Sequence, residues 1–272
     1  MLSLKPEKSS SRPPAVAGLF YPGDAAGLRR AVSAYVAAGR LPDGTLRRPK
    51  ALIVPHAGYV YSGPVAGSAY RLLRDAAADI RHVVLLGPSH RVALTGLAVP
   101  AVNAFTTPLG EVAIDRQGRE RLVGLGLVTV ADAPHELEHS LEVQLPFLQV
   151  VLGEFELLPI AVGEATSADV ARVIEAVWNG PETLLLVSSD LSHYHDAVLA
   201  RRLDAATAAA IVEQRRELDG EQACGATGIN GLLLAARRRG LVVEQLDLRN
   251  SGDTAGDASR VVGYGSFAVY QA

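Results

Sequence analysis

Apolar positions in this chain fall into two rhythms. Short unbroken runs rich in Val, Ile and Leu occur at 51–54, 83–86 and 184–188, the pattern of strands buried on both faces in a parallel sheet. Between them the apolar residues recur at helical spacing. Leu28, Val32, Tyr35 and Val36 share one face of a helix with Asp24 as its N-cap and Gly39 as its stop. Further helices are expected from about Pro64 to Ala77, with the proline near the first turn, and at 140–152, 167–178 and 197–215. Another opens after Cys224 and runs through Arg238. Residues 97–114 read as extended pieces with a turn at Thr107-Pro-Leu-Gly110, and Asp115 caps a short helix. Strands are expected at 157–162, 242–248 and 261–270. Strand-helix alternation with irregular insertions predicts an α/β fold, a single domain with a central, mainly parallel or mixed sheet flanked by helices. No linker divides residues 15–272, whereas the Ser-, Lys- and Pro-rich stretch 1–14 is expected to be a disordered tail.

Composition narrows the function classes. With 49% hydrophobic residues, the 272-residue chain can bury a substantial core. A net charge of −3 and scattered arginines leave no electrostatic footprint for nucleic acid. No apolar run approaches the ~20 residues that cross a bilayer, and the amino-terminal residues lack a signal-peptide core, so no membrane association and a cytoplasmic location are expected. Cys224 is the single cysteine, which excludes an intramolecular disulfide and fits a reducing compartment. Only three lysines accompany abundant Arg, Ala, Gly and Val, the bias of a GC-rich bacterial genome.

The three buried runs each lead into a histidine: His56, His90 and His193. Ligand crevices of open α/β sheets lie beyond the carboxyl ends of the strands, and imidazole is both the commonest metal ligand and an acid/base at neutral pH. A lone histidine after a strand is usually structural; two at equivalent places of one β-α-β unit, His56 and His90, point to function. Asp190 precedes His193 by three residues, and the pair has the makings of an acid/base unit. The competing reading makes Asp190 a turn cap and leaves His193 on the surface. His195 and Asp196 read as surface or cap residues. Cys224, just before a helix, is either an inert buried thiol or a thiolate suited to metal ligation or nucleophilic chemistry.

Other motifs carry less. His135-Glu-Leu-Glu-His139 matches the zinc-protease pattern H-E-x-x-H, but Pro134 and Pro146 bracket it and the segment reads as a loop entering a helix. Gly225-x-x-Gly228-x-x-Gly231 lacks the G-x-G start and the preceding strand of a dinucleotide fingerprint. There is no Walker sequence and no G-x-S-x-G elbow.

Taken together, the segments Ala17-Gly-Leu-Phe-Tyr-Pro22, Pro55-His-Ala-Gly-Tyr59, Gly87-Pro-Ser-His90, Glu138-His-Ser-Leu-Glu142, Ser188-Ser-Asp-Leu-Ser-His193, Cys224-Gly and Asn250-Ser-Gly-Asp253 closely resemble the Memo family, whose bacterial members are called AmmeMemoRadiSam system protein B. The likeness covers nearly the whole chain in order. Memo proteins are similar in fold to class III, LigB-type extradiol dioxygenases, which hold ferrous iron with two histidines and a glutamate.

Carried over, the resemblance puts His56 and His90 at the two histidine-ligand positions, Cys224 where the glutamate would be, and His193 with Asp190 at the acid/base position. It places His139 and Glu142 near the pocket as substrate-binding candidates; Phe20 and Tyr21, beside the amino-terminal motif, are further candidates as an aromatic wall for a bound small molecule or peptide. A thiolate in place of a carboxylate softens the site, favouring iron or copper with zinc as a further candidate, and dioxygenase activity does not carry over with it. The resemblance implies a metal-dependent oxidoreductase acting on a small molecule. The alternative is a non-enzymatic peptide- or protein-binding module that keeps a vestigial dioxygenase pocket. AMMECR1-like and radical SAM proteins are the implied partners.

Overall fold

The apolar runs lie side by side in a computed structural model, which describes residues 11–40, 47–215 and 217–272. Its strands are β1 (Ser11–Arg12), β2 (Ala51–Val54), β3 (His82–Pro88), β4 (Leu97–Val99), β5 (Ala104–Thr107), β6 (Gly110–Ala113), β7 (Thr129–Val130), β8 (Glu156–Val162), β9 (Thr183–Ser188), β10 (His193–His195), β11 (Leu241–Asn250) and β12 (Val261–Gln271). Its helices are α1 (Ala25–Ala38), α2 (Tyr59–Arg71), α3 (Arg116–Gly124), α4 (Ala133–Glu136), α5 (His139–Glu142), α6 (Leu145–Leu152), α7 (Ser167–Val177), α8 (Ala197–Glu213), α9 (Ala226–Arg238) and α10 (Ser251–Thr254).

The main sheet runs in the order β10-β12-β2-β9-β3-β8-β4-β7, with β11 paired to β12. Its centre, β2-β9-β3-β8, is parallel, while β12 and β4 join antiparallel on either side. The sheet is therefore mixed around a parallel core. Successive residues of the central strands face opposite layers, as strand geometry requires. Ile53, Val84, Leu86, Ile160, Leu185 and Val187 pack on one side with residues of α7, α8 and α9. Leu52, Val54, Val83, Leu85, Leu157 and Leu186 pack on the other with α1, α2 and α6. A small second sheet, β1-β5-β6, lies apart from this path.

Three expectations shift. Helix α2 begins at Tyr59, so Pro64 lies inside it; the amide that proline lacks would have faced the carbonyl of Val60, a residue on the exposed side of the helix. Close packing of α1 on α2 depends on Gly67, where a Cβ would stand 2.3 Å from the carbonyl oxygen of Tyr35. The helix expected at 140–152 is two short helices, α5 and α6, with Pro146 in the first turn of α6. Ser11 and Arg12, read as part of the disordered tail, form β1 against Ala104 and Phe105, and Arg12 is buried. Pro13 and Pro14 follow without regular structure, and residues 1–10 of that expected tail lie outside the described residues. Asp24, Asp115 and Asp196 cap α1, α3 and α8 through their side chains.

Candidate metal centre

Because β2, β3 and β9 are parallel, their carboxyl ends deliver three loops to one edge of the sheet. Val54 stands level with Ser188, and Leu86 with Val187, so His56, His90 and Asp190 leave the sheet at nearly the same height. Cys224 arrives from another direction, immediately before the N-cap of α9. One donor atom from each of His56, His90 and Cys224 lies within 4.8 Å of the others. The His56 and His90 rings meet edge to face, with centroids 5.2 Å apart.

Hydrogen bonding fixes which nitrogen of each ring is free. Ser188 Oγ has one proton, and it donates that proton to the carbonyl of Ser140 at 2.6 Å. Gln144 Nε2 donates to Ser188 Oγ at 2.8 Å and to the carbonyl of Pro55 at 3.0 Å, with its own Oε1 held by the Tyr70 hydroxyl. His56 Nδ1, 2.9 Å from Ser188 Oγ, must therefore donate as well. That leaves a lone pair on Nε2, which faces Cys224 Sγ at 3.3 Å. Burial, with His90 and His139 nearby, holds His56 well below the ordinary histidine range, so the ring is neutral.

His90 is oriented by Glu138. The carboxylate accepts from His90 Nδ1 at 2.9 Å and from the His90 amide at 2.6 Å, and its Oε1 also accepts from the Ser140 amide at 2.8 Å. Burial pushes the Glu138 carboxyl up, but the His90 imidazole and the two amides outweigh it and bring the carboxyl down to about 2. An ionised acceptor on Nδ1 turns Nε2 of His90 to the site, the carboxylate–histidine arrangement that fixes metal-binding imidazoles. Helix α5, which follows Glu138, docks on β3 only because position 87 is glycine: a Cβ there would lie 2.8 Å from Ser140 Oγ. Glu138→Gln is expected to weaken metal binding about 10- to 100-fold with little change in secondary structure; chelator competition and circular dichroism measure the two.

Cys224 Sγ accepts from the Asp190 amide at 3.3 Å. Burial, followed by the Asp190 carboxylate, pushes the thiol up to about 12, outweighing the helix terminus that the sequence offered as a thiolate stabiliser. Without an ion the thiol is neutral and its proton points to the lone pair of His56. Metal binding would replace that proton. Asp190 itself is buried, and its carboxylate accepts from the His56 amide at 2.7 Å. Burial raises it to about 7 against the amides of His56 and Ala57. Asp190 thus braces the loops of two ligand candidates at once.

Beside this cluster lies a cavity of about 480 Å³ whose wall includes Phe20, His139, Asp190, His193 and Tyr264. His139 stacks on His90 with centroids 4.8 Å apart, and its ring meets that of Phe20 at a tilt of 57°, with centroids 4.9 Å apart. Burial lowers it to about 4. His193 is also lowered by burial. A second cavity, of about 620 Å³, reaches Cys224 between Gly87, Gly163 and Gly225.

The remaining sequence candidates sit elsewhere. Glu142 is fully buried and spends its oxygens on Arg12 at 2.5 Å, the Tyr21 hydroxyl at 2.5 Å and the amides of Ala15 and Val16. Glu142 and Tyr21 therefore fasten residues 12–21 across the molecule, and neither is on the wall of the 480 Å³ cavity. His135 and His139 occupy separate short helices. His135 Nε2 lies 3.1 Å from the carbonyl of Ala98, away from the cluster, which removes the geometry a zinc protease needs. Sequence reasoning missed Glu138 as the partner of His90; its signal was its place inside the Glu138-His-Ser-Leu-Glu142 segment.

A family model described as Memo-like protein matches residues 12–268. A MEMO1 family protein of Aquifex aeolicus is 37% identical over 268 residues, covering 93% of this chain and 97% of that protein. MEMO1 family proteins of Methanothermobacter thermautotrophicus and Aeropyrum pernix are 34% and 37% identical. They cover 93% and 95% of this chain, and 98% and 99% of their own lengths. In a comparison of structures, uncharacterized protein JW3007 from Escherichia coli K12 aligns over 83% of this chain and 100% of its own, with a TM-score of 0.49 and 12% identity.

Proposed function

This chain belongs to the Memo family, and on that premise we propose that it is a metal-dependent oxidoreductase acting on a small molecule, with one ion held by His56, His90 and Cys224. The observation that carries this reading is the convergence of the three donors within 4.8 Å, with both imidazoles held at Nδ1 by Ser188 and Glu138. Two imidazoles and a thiolate make a soft donor set, suited to copper or thiolate-bound iron and also to zinc. When bound, copper or iron would supply one-electron chemistry or oxygen activation that no side chain here provides.

The chain's own residues do the rest. Phe20, His139, His193 and Tyr264 wall the adjoining cavity and bind and orient the substrate. His193, neutral and half-buried on that wall, takes or returns a proton at a ring nitrogen, while Asp190 holds the His56 amide. An exposed apolar group at the cavity mouth, Leu19, Tyr61 and Tyr194, favours the second reading, a peptide-binding module.

Metal analysis after anaerobic purification without chelator separates the two. The oxidoreductase reading expects close to one redox-active ion per chain and loss of that ion in Cys224→Ser. Wild-type protein that takes up no copper or iron on anaerobic titration would leave only the binding module.

A further inference from the structure

At the opposite end of the same sheet a second donor cluster forms where β3 and β8 begin. His82 and Glu156 open those two parallel strands and are direct partners in their register. Asp115, the N-cap of α3, closes on them from the end of the small sheet, its amide donating to the carbonyl of Leu157 at 2.8 Å. One donor atom from each of the three side chains lies within 4.8 Å of the others.

The spacing is wrong for hydrogen bonds and right for a coordination shell. His82 Nδ1 stands 3.4 Å from Glu156 Oε2 and 3.8 Å from Asp115 Oδ2. That nitrogen is shut off from solvent although the imidazole as a whole is 37% exposed, and it makes no hydrogen bond. A good N–H···O contact is nearer 2.9 Å, so neither carboxylate satisfies this nitrogen. A tetrahedral ion with bonds of 2.0–2.1 Å holds its ligands about 3.3 Å apart. Small rotations of Asp115 and Glu156 would therefore seat an ion with all three donors in place.

The surroundings agree. Asp115 Oδ1 is committed to the Gly118 amide at 2.8 Å, which leaves Oδ2 for the cluster. Neither carboxylate has a Lys or Arg partner among the described residues. Asp115 and Glu156 also line a cavity of about 540 Å³ with Asn103, Glu111 and Arg116, so water reaches the two carboxylates. One imidazole with two carboxylates suits a borderline divalent cation such as zinc better than a soft monovalent one.

We propose that His82, Asp115 and Glu156 form a second divalent-cation site, independent of the centre at the carboxyl edge. Its ion ties the first residues of β3 and β8 to the start of α3. Equilibrium dialysis against zinc tests it on the intact protein, by comparing wild type with His82→Ala and with Asp115→Asn. Asparagine keeps the helix cap while removing the charged ligand.

The expected result is that each variant binds one zinc ion fewer per chain than wild type, and that zinc raises the thermal midpoint of wild type more than that of either variant. The difference of one is read whether or not the His56, His90 and Cys224 centre takes zinc, so failure of one site is distinguishable from failure of the other. Equal zinc stoichiometry in wild type and both variants, with circular dichroism unchanged, would overturn the proposal.

Discussion

Anaerobic titration of a His56→Ala/His90→Ala variant is expected to show copper(I) affinity lowered on the order of ten-thousand-fold. Structural N/S sites with four ligands yield apparent binding free energies of roughly 10–16 kcal/mol, or about 3 kcal/mol for each ligand, and two are removed here. Copper(I) is the informative probe because the donor set that distinguishes this centre is soft, whereas the cluster at the other edge offers mainly carboxylates. The single variants should differ in kind. His56 is buried, and its loss also takes one hydrogen-bond partner from Ser188 and one from the Cys224 thiol, so His56→Ala should weaken binding and lower stability together. His90 is more open, and its alanine variant should lose affinity with a smaller loss of stability, the part that follows from taking the imidazole away from the buried Glu138 carboxylate. A double variant with wild-type copper affinity in a competition titration would remove His56 and His90 from the centre.

The second large effect concerns Glu142. Its ion pair with Arg12 is buried on both sides, at 4% and 0% exposure. Breaking such a pair by neutralising one partner costs about 3–5 kcal/mol, because the other charge stays behind without compensation. Glu142→Gln should therefore lower the thermal midpoint on the order of 10 °C for a chain of this size. The guanidinium of Arg12 would retain the carbonyls of His135 and Glu138 and the face of the Phe105 ring, none of them charged. Replacing both partners by apolar residues should recover part of the loss and no more, since the Ala15 and Val16 amides and the Tyr21 hydroxyl still need the acceptor. A midpoint in Glu142→Gln within a degree of wild type would show that residues 12–21 are held by other contacts.

What the sequence disclosed about this site follows the range of the interactions. His56, His90 and Asp190 each sit within a few residues of an unmistakable buried strand, so their shared edge was readable from local pattern plus the rule that parallel strands end together. Cys224 is 168 residues from His56, and nothing local brings them together; the family resemblance supplied that pairing. Glu138 and Glu142 show the limit most clearly. Both are acids in one five-residue segment, yet one orients His90 from 48 residues away while the other anchors Arg12 from 130. Residue type and spacing do not separate those roles. The boundary at Tyr59 was missed for a related reason: proline was read as a start signal, whereas here it sits one turn deeper in the helix.

The long reach of these contacts also governs when the centre can exist. A chain made from its amino terminus presents Arg12 long before Glu142, and His56 long before Cys224, so loops of 130 and 168 residues must close after the early segments have already emerged. Contacts of such high sequence separation form late and slowly. Synthesis therefore produces a solvated arginine and an unmatched pair of histidines first, and ion capture by all three donors follows release of nearly the entire polypeptide.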